Sequence, residues 1–129
     1  MIPGSLLHNL QVNPLVIGWH FSGTIESVAD GVTDLKKGDK VFGHLQYSGS
    51  TRQGSLAEYI IVPVDECAKI LEGIAMDVAA AVTTESLTAL QGLRDQGGLC
   101  EDKSVLIIAA AGGVGSQAVQ IAKALKASK

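Results

Sequence analysis

Hydrophobic and polar positions change their spacing twice along this chain. Over residues 16–28, VIGWHFSGTIESV, β-forming residues alternate, with Phe21, Gly23 and Ile25 on one face and Ser22, Thr24 and Glu26 on the other. That pattern predicts a strand, and Gly18 and Gly23 inside it predict bends or bulges of the kind found in a small barrel. Asp30-Gly31 marks a turn, and Lys36-Lys37-Gly38-Asp39 marks another just before the short apolar run Val41-Phe42, which begins a second strand. Residues 43–54, GHLQYSGSTRQG, are polar and glycine-rich and predict a mobile loop. Ala57, Tyr59 and Ile61 then alternate against Leu56, Glu58, Ile60 and Val62, a strand that ends at Pro63 and makes Tyr59 a core residue. Ahead of all this, residues 1–14 read as a coil that feeds the first strand.

After Gly73 the period lengthens. Residues 76–82 are alanine-rich and predict a helix, with Asp77 in its first turn, where a negative charge contributes about 0.3–1 kcal/mol. Thr83-Thr84 interrupts it, a threonine serving as cap for a second helix over 85–95 that carries Leu87, Leu90 and Leu93 at helical spacing. Gly97-Gly98 closes that helix. Residues 104–109, SVLIIA, form a nearly continuous apolar run, which suits a strand buried on both faces of a parallel sheet. The next six residues, Ala110-Ala111-Gly112-Gly113-Val114-Gly115, are a small-residue loop. From Ser116 onwards the period changes: Val114, Ala118, Ile121, Ala122 and Leu125 recur at helical spacing, with Ser116, Gln120 and Lys123 opposite.

Strand, glycine loop and helix in that order have a chemical consequence. The unpaired N–H groups at a helix start point at whatever occupies the loop, and the helix dipole adds roughly half a positive charge there. Glycine at 112, 113 and 115 removes the Cβ atoms that would hold a phosphate away and lets the helix sit close to the strand. The pattern reads Ala-x-Gly-x-x-Gly, one glycine short of the usual dinucleotide fingerprint. Two readings follow: a dinucleotide's pyrophosphate bound by Ala110 to Gly115, or a tight strand-to-helix turn with no ligand.

Composition narrows the classes. Hydrophobic residues make up 47% and charged residues 18%, a globular and not a disordered balance. Ten basic and 13 acidic side chains give a formal charge of −3 without a basic block, which argues against nucleic acid or an anionic membrane as the main partner. There is no apolar run of about 18 residues and no signal-peptide layout at Met1-Ile2-Pro3-Gly4, so a soluble cytoplasmic protein is expected. Cys67 and Cys100 are far apart and without ligand-spaced neighbours, and His8, His20 and His44 are scattered, so two ordinary thiols and no metal site are expected.

Five segments in register carry a resemblance to a known family: GWHFSG at 18–23, KGDKVFG at 37–43, GSLAEYIIVP at 54–63, AAAVTTESLTAL at 79–90, and the glycine loop followed by Gln120-Ile121-Ala122-Lys123. Over about residues 14 to 127 the chain resembles the zinc-less branch of the medium-chain dehydrogenase/reductase superfamily, the quinone oxidoreductase-like proteins of zeta-crystallin type. The resemblance implies a GroES-like β-barrel, incomplete at its N-terminus, followed by the first β-α unit of a Rossmann domain, with cofactor between the two. It places the pyrophosphate on Ala110, Ala111, Gly112, Gly113, Val114 and Gly115, and Thr88 of Leu87-Thr88-Ala89 near the nicotinamide end.

Zinc-dependent relatives carry Gly-His-Glu where this chain has Gly18-Trp19-His20, so tryptophan occupies the metal-binding histidine position and the zinc mechanism is removed. Zinc-less relatives usually have aspartate where His20 stands; His20 is either a core or loop histidine or has a role of its own. A member of this type transfers hydride from a nicotinamide cofactor, NADPH with NADH as the alternative, to a quinone, an enone or an enoyl thioester. Tyr47, in the loop after Gly43, is a candidate hydrogen-bond donor to such an acceptor, against a bland role in packing or at a rim. The catalytic residues are otherwise unassigned.

The expected organisation is therefore mixed α/β, with a partial GroES-like β domain over 1–74 and linking helices plus the start of a Rossmann dinucleotide-binding domain over 75–129. A Rossmann sheet needs several parallel strands and this chain supplies one, so the residues are expected to be part of a longer polypeptide or a truncated product that alone reduces nothing. The expected partners are a small-molecule substrate and further copies of the chain, joined through exposed sheet edges. Two other classes remain beside a quinone reductase: an enoyl-thioester reductase, free or as a synthase module, and a non-catalytic interaction protein.

Overall fold

The computed structural model describes residues 16–46 and 54–129. They fall into two compact units, the described residues up to Ala81 and residues 82–129.

In the first unit three strands form an open antiparallel sheet in the order β1-β2-β3: His20–Thr24 (β1), Lys40–His44 (β2) and Cys67–Lys69 (β3). The register of β1 on β2 runs without interruption from His20 opposite His44 to Thr24 opposite Lys40. Gly23, expected at a bend or bulge, is instead a regular strand residue paired with Val41. The bend falls at Gly18, whose φ of +97° lies in the region that glycine adopts without strain. The turn at 36–39 is built by Asp39, whose N–H donates to the Lys36 carbonyl and whose Oδ2 accepts from the Lys36 N–H at 3.1 Å.

Alternation sends Phe21 and Val41 to the same side, where with Leu45 they make the buried core of this unit; Ile25, Leu35, Ile60, Val62 and Cys67 pack around it. Gly43 opposite Phe21 leaves room for that ring, because a Cβ on Gly43 would stand 2.8 Å from the Phe21 Cζ and would run into the Glu66 carbonyl oxygen. A short helix, Met76–Ala81 (α1), packs on β1 and β2, with Ala79 buried.

The strand expected over 56–62 does not enter the sheet. Its start is tied down by Leu56 N–H to the Ile17 carbonyl and Ser55 N–H to the Gly18 carbonyl, but the ladder partner of β2 is β3, beyond Pro63. Ile60 and Val62 reach the core while Leu56, Tyr59 and Ile61 stay exposed. Tyr59, expected in the core, is 76% exposed, because alternation without a covering layer leaves one face in water.

The second unit begins with the helix Thr83–Leu90 (α2), which continues as a π-helical stretch, Gln91–Gln96. Val82, not a threonine, occupies the cap position, and Thr83 is instead a buried first-turn residue, 4% exposed. Gly98, with φ +60°, ends the stretch in the left-handed conformation, and the Leu99 N–H behind it donates to the Leu93 carbonyl. Leu90 and Leu93 are half-buried, but Leu87 points outward. The last helix, Gly113–Ala124 (α3), packs on α2; its buried residues are Ala118 and Ala122, and that of α2 facing inward beside Thr83 is Ala89. Alanines at these positions permit the two backbones to approach closely.

The apolar run at 104–109 is the main departure from expectation. Residues 104–107 are in no helix and, among the described residues, in no sheet ladder, the turn begins at Ile108, and Leu106 and Ile108 are 87% and 84% exposed. Residues 128–129 come alongside: Ser128 N–H donates to the Lys103 carbonyl at 2.8 Å and Val105 N–H to the Lys129 carbonyl at 2.9 Å. Both segments advance in the same direction, so the pairing is parallel in sense, as in the first turn of a β-α-β unit. Burial of such a strand needs neighbours on both edges and cover on both faces, and these two residues supply neither beyond Val105.

Candidate functional site

The run 104–107 enters α3 through a turn at 108–112. Ala109 takes φ +58°, a left-handed value uncommon for a residue with a side chain, and its carbonyl accepts from the Gly112 N–H at 3.0 Å. Gly112 then caps the helix in an extended conformation, φ −77° and ψ 172°, and α3 starts at Gly113. The first intrahelical bond runs from Ser116 N–H to the Gly112 carbonyl at 2.9 Å, which leaves the N–H groups of Gly113, Val114 and Gly115 without an intrahelical acceptor. The cap residue Gly112 has no side chain to meet them, and no acidic residue stands in the first turn of α3. Ala110, Ala111, Gly112, Gly113 and Val114 are all exposed. Three donors without an intrahelical acceptor, at the positive end of a twelve-residue helix and open to solvent, form a place that favours an anion.

The three glycines do different work. A Cβ on Gly115 would run into the Ala109 carbonyl oxygen and stand 2.8 Å from the Ala110 Cα, both backbone atoms that hold the turn together. This glycine sets how closely the helix start approaches the turn. Gly113 faces α2: its Cβ would stand 3.0 Å from the Glu85 Cγ and 3.8 Å from the Glu85 Oε1. Gly112 is the least constrained, with the Ala109 oxygen at 3.4 Å from its Cβ position. Ser116 Oγ donates to the Gly113 carbonyl at 2.9 Å and so turns inward along the helix, leaving the loop mouth lined by backbone.

Helix α2 forms the neighbouring wall. Ser86 Oγ donates to Gln117 Oε1 at 3.1 Å and ties α2 to the first turns of α3. Glu85, one residue earlier, lies against Gly113, and its Oε2 is buried with no hydrogen-bond partner. Thr88 stands one helical turn beyond Glu85 and is exposed. In the sequence Glu85 marks only the start of a helix. Its i, i+3 spacing to Thr88 is the signal that puts the two on one side of α2.

The remaining candidates are dispersed. Tyr47 lies outside the described residues. His20 is half-buried at the start of β1, opposite His44, and the carbonyl of the preceding Trp19 accepts from the Leu45 N–H at 2.8 Å. Cys67 donates its thiol hydrogen toward the Val64 carbonyl, and burial, then the carboxylates of Asp65 and Glu66, push its pKa up. Both cysteines are free thiols. Among the described residues no three His, Cys, Asp or Glu side chains converge as a metal-binding group would, and no helix is long and apolar enough to cross a membrane.

Comparison with known proteins gives the family. The family described as "Alcohol dehydrogenase GroES-like domain" matches residues 3–72, more than half of the chain. The 2-methylene-furan-3-one reductase of Solanum lycopersicum is 36% identical over 113 residues, covering 85% of this chain and 29% of that protein. A mycocerosic acid synthase-like polyketide synthase of Mycobacterium tuberculosis is 37% identical over 108 residues, covering 84% of this chain and 5% of that one. Among solved structures, the quinone oxidoreductase of Pseudomonas syringae pv. Tomato DC3000 superposes with a TM-score of 0.75 at 34% identity, covering 91% of this chain and 34% of that one. A mycobacterial protein solved in complex with NADPH superposes with a TM-score of 0.74 at 31% identity, covering 92% and 35%. The chain thus spans about a third or less of the length of each of these four proteins. The chain belongs to the alcohol dehydrogenase GroES-like family, within the medium-chain dehydrogenase/reductase superfamily.

Proposed function

We propose that this chain carries the diphosphate-binding loop of an oxidoreductase that uses NADPH to reduce a quinone, an enone or a similar electron-poor acceptor without zinc. The observation that supports it most directly is the solvent-open start of α3, where the N–H groups of Gly113, Val114 and Gly115 lack an intrahelical acceptor and no Cβ on 112, 113 or 115 obstructs them. When bound, a nicotinamide cofactor supplies the hydride. The part played by this chain is to bind and to orient. Backbone donors at 113–115 take the diphosphate, the close approach of Gly115 to Ala109 holds those donors in place, and Thr88 lines the wall toward the nicotinamide end. Trp19 at the position where zinc-dependent relatives carry histidine supports a reaction in which positioning replaces a metal. The solved relative in complex with NADPH supports a nicotinamide cofactor.

A thermal-shift titration of the chain with NADPH tests the reading. Ligand at a hundred times its dissociation constant is expected to stabilise the fold by about 2.7 kcal/mol. Absence of any shift at millimolar NADPH would remove the cofactor and leave the non-catalytic interaction reading. The likeness to a polyketide synthase supports a second acceptor class, an enoyl thioester. Assaying crotonyl thioester beside a quinone, with NADPH oxidation as the readout, separates the two.

A further inference from the structure

We propose that the Glu85 carboxylate sets the affinity of the glycine loop for an anionic diphosphate, opposing it through like charge; this rests on the diphosphate reading of the loop given above. The Glu85 side chain lies directly against Gly113, the first residue of α3, with its Cγ and Oε1 at 3.0 and 3.8 Å from that residue's Cβ position. Its Oε2 is buried and accepts no hydrogen bond. A carboxylate oxygen in that condition is costly to hold, and its compensation is the positive end of α3, which has no acidic residue of its own and no side-chain cap. Glu85 therefore takes the place that an acidic first-turn residue usually fills. It balances the helix end when the loop is empty.

A diphosphate at the same N–H groups competes for the same field. Two anions held near one helix start, one of them partly shielded from water, repel more strongly than two fully solvated charges, since salt screens a partly buried charge less well. The charge at position 85 thus weakens binding of any ligand that carries its diphosphate on Gly113 to Gly115, while leaving uncharged parts of the ligand unaffected. Glutamine at 85 keeps the shape against Gly113 and removes the opposition.

The test uses the full 129-residue chain as wild type, Glu85→Gln, Glu85→Ala and Glu101→Gln. The last removes an exposed carboxylate that pairs with Lys126 and controls for net charge. Dissociation constants for NADPH, ADP and adenosine are measured by calorimetry, with circular dichroism to verify that each variant is folded. Glu85→Gln and Glu85→Ala are expected to tighten NADPH and ADP about tenfold, with adenosine and Glu101→Gln unchanged. Wild type that binds NADPH, with Glu85→Gln equal or weaker, overturns the role given to Glu85 and leaves the diphosphate reading standing. Equal tightening by Glu101→Gln also overturns it, because net charge then suffices. Folded wild type and variants that bind neither NADPH nor ADP overturn the diphosphate reading and the role of Glu85 together.

Discussion

The carbonyl oxygen of Ala109 occupies the space that a Cβ on Gly115 would need. That oxygen also accepts the Gly112 N–H, so it cannot move aside without opening the turn. Gly115→Ala is therefore expected to push the start of α3 away from residues 109–110, at a cost of about 1–3 kcal/mol for an over-packed site, and to weaken NADPH binding with it. Gly112→Ala, whose Cβ meets the same oxygen at an ordinary 3.4 Å, is expected to cost about 1 kcal/mol or less. Urea denaturation of both variants checks the order; equal losses would remove the close approach at 115 as the cause.

Gly43 plays the corresponding part in the sheet. It pairs with Phe21 on β1 and Cys67 on β3, and its missing Cβ leaves room for the Phe21 ring and the Glu66 carbonyl. Phe21 is the one aromatic ring among the buried residues Phe21, Val41 and Leu45. Truncation to alanine there is expected to cost about 3–5 kcal/mol, and Gly43→Ala at least about 1–3 kcal/mol through overlap with backbone. Phe21→Leu, which keeps most of the volume, is expected to fall well short of either. A denaturant series on the three variants gives the ranking, and a Phe21→Ala variant as stable as the Phe21→Leu one would show that this cluster is not the core of its unit.

How much of this was readable from the residues depends on where each constraint acts. The turn at 36–39 and the stop at Gly98 are local, since a glycine or aspartate at the right offset decides them within four residues, and both stand where the sequence puts them, whereas α3 starts at Gly113, inside the loop expected over 110–115. Burial is not local. Val105 to Ile108 has the composition of a strand covered on both faces, but composition cannot supply the neighbouring strands, and Leu106 and Ile108 remain in water. Tyr59 fails for the same reason on a smaller scale. Glu85 shows the limit most clearly: nothing in TTESLTAL says that a carboxylate will be packed under Gly113, because that contact is made by the packing of α2 on α3, 28 residues apart in sequence.

The two thiols differ in reactivity for structural reasons. Cys100 is exposed, whereas Cys67 is half-buried on β3, beside the core of its unit, and burial together with Asp65 and Glu66 raises its pKa. A raised pKa leaves less thiolate at a given pH, and the thiolate is the nucleophile. Iodoacetamide at pH 8 is expected to alkylate Cys100 first, with Cys67 following only as the pH is raised or the fold is opened by urea. Peptide mass mapping over a time course reads both rates, and equal rates in the native state would contradict this placement of Cys67.

Asp39 ties the turn before β2 to β3. Its Oδ2 accepts from the Lys69 Nζ at 2.9 Å and from the Lys36 N–H at 3.1 Å. The Lys69 hydrogen bond, followed by that from the Lys36 backbone, holds the carboxyl below the usual aspartate value, with partial desolvation acting in the opposite direction. The sign of the pH effect follows. A carboxylate whose pKa is lower folded than unfolded adds stability above the unfolded value, near 3.8, and that stability is lost as pH falls through the lower folded value. Asp39→Asn keeps the shape of the turn but cannot titrate, so the decline of its urea midpoint between pH 7 and pH 3 is expected to be shallower than that of wild type. Lys69→Gln should behave in the same way, because it removes the principal cause of the depression. If wild type and both variants lose stability in parallel over that range, Asp39 is not among the groups whose protonation unfolds the sheet.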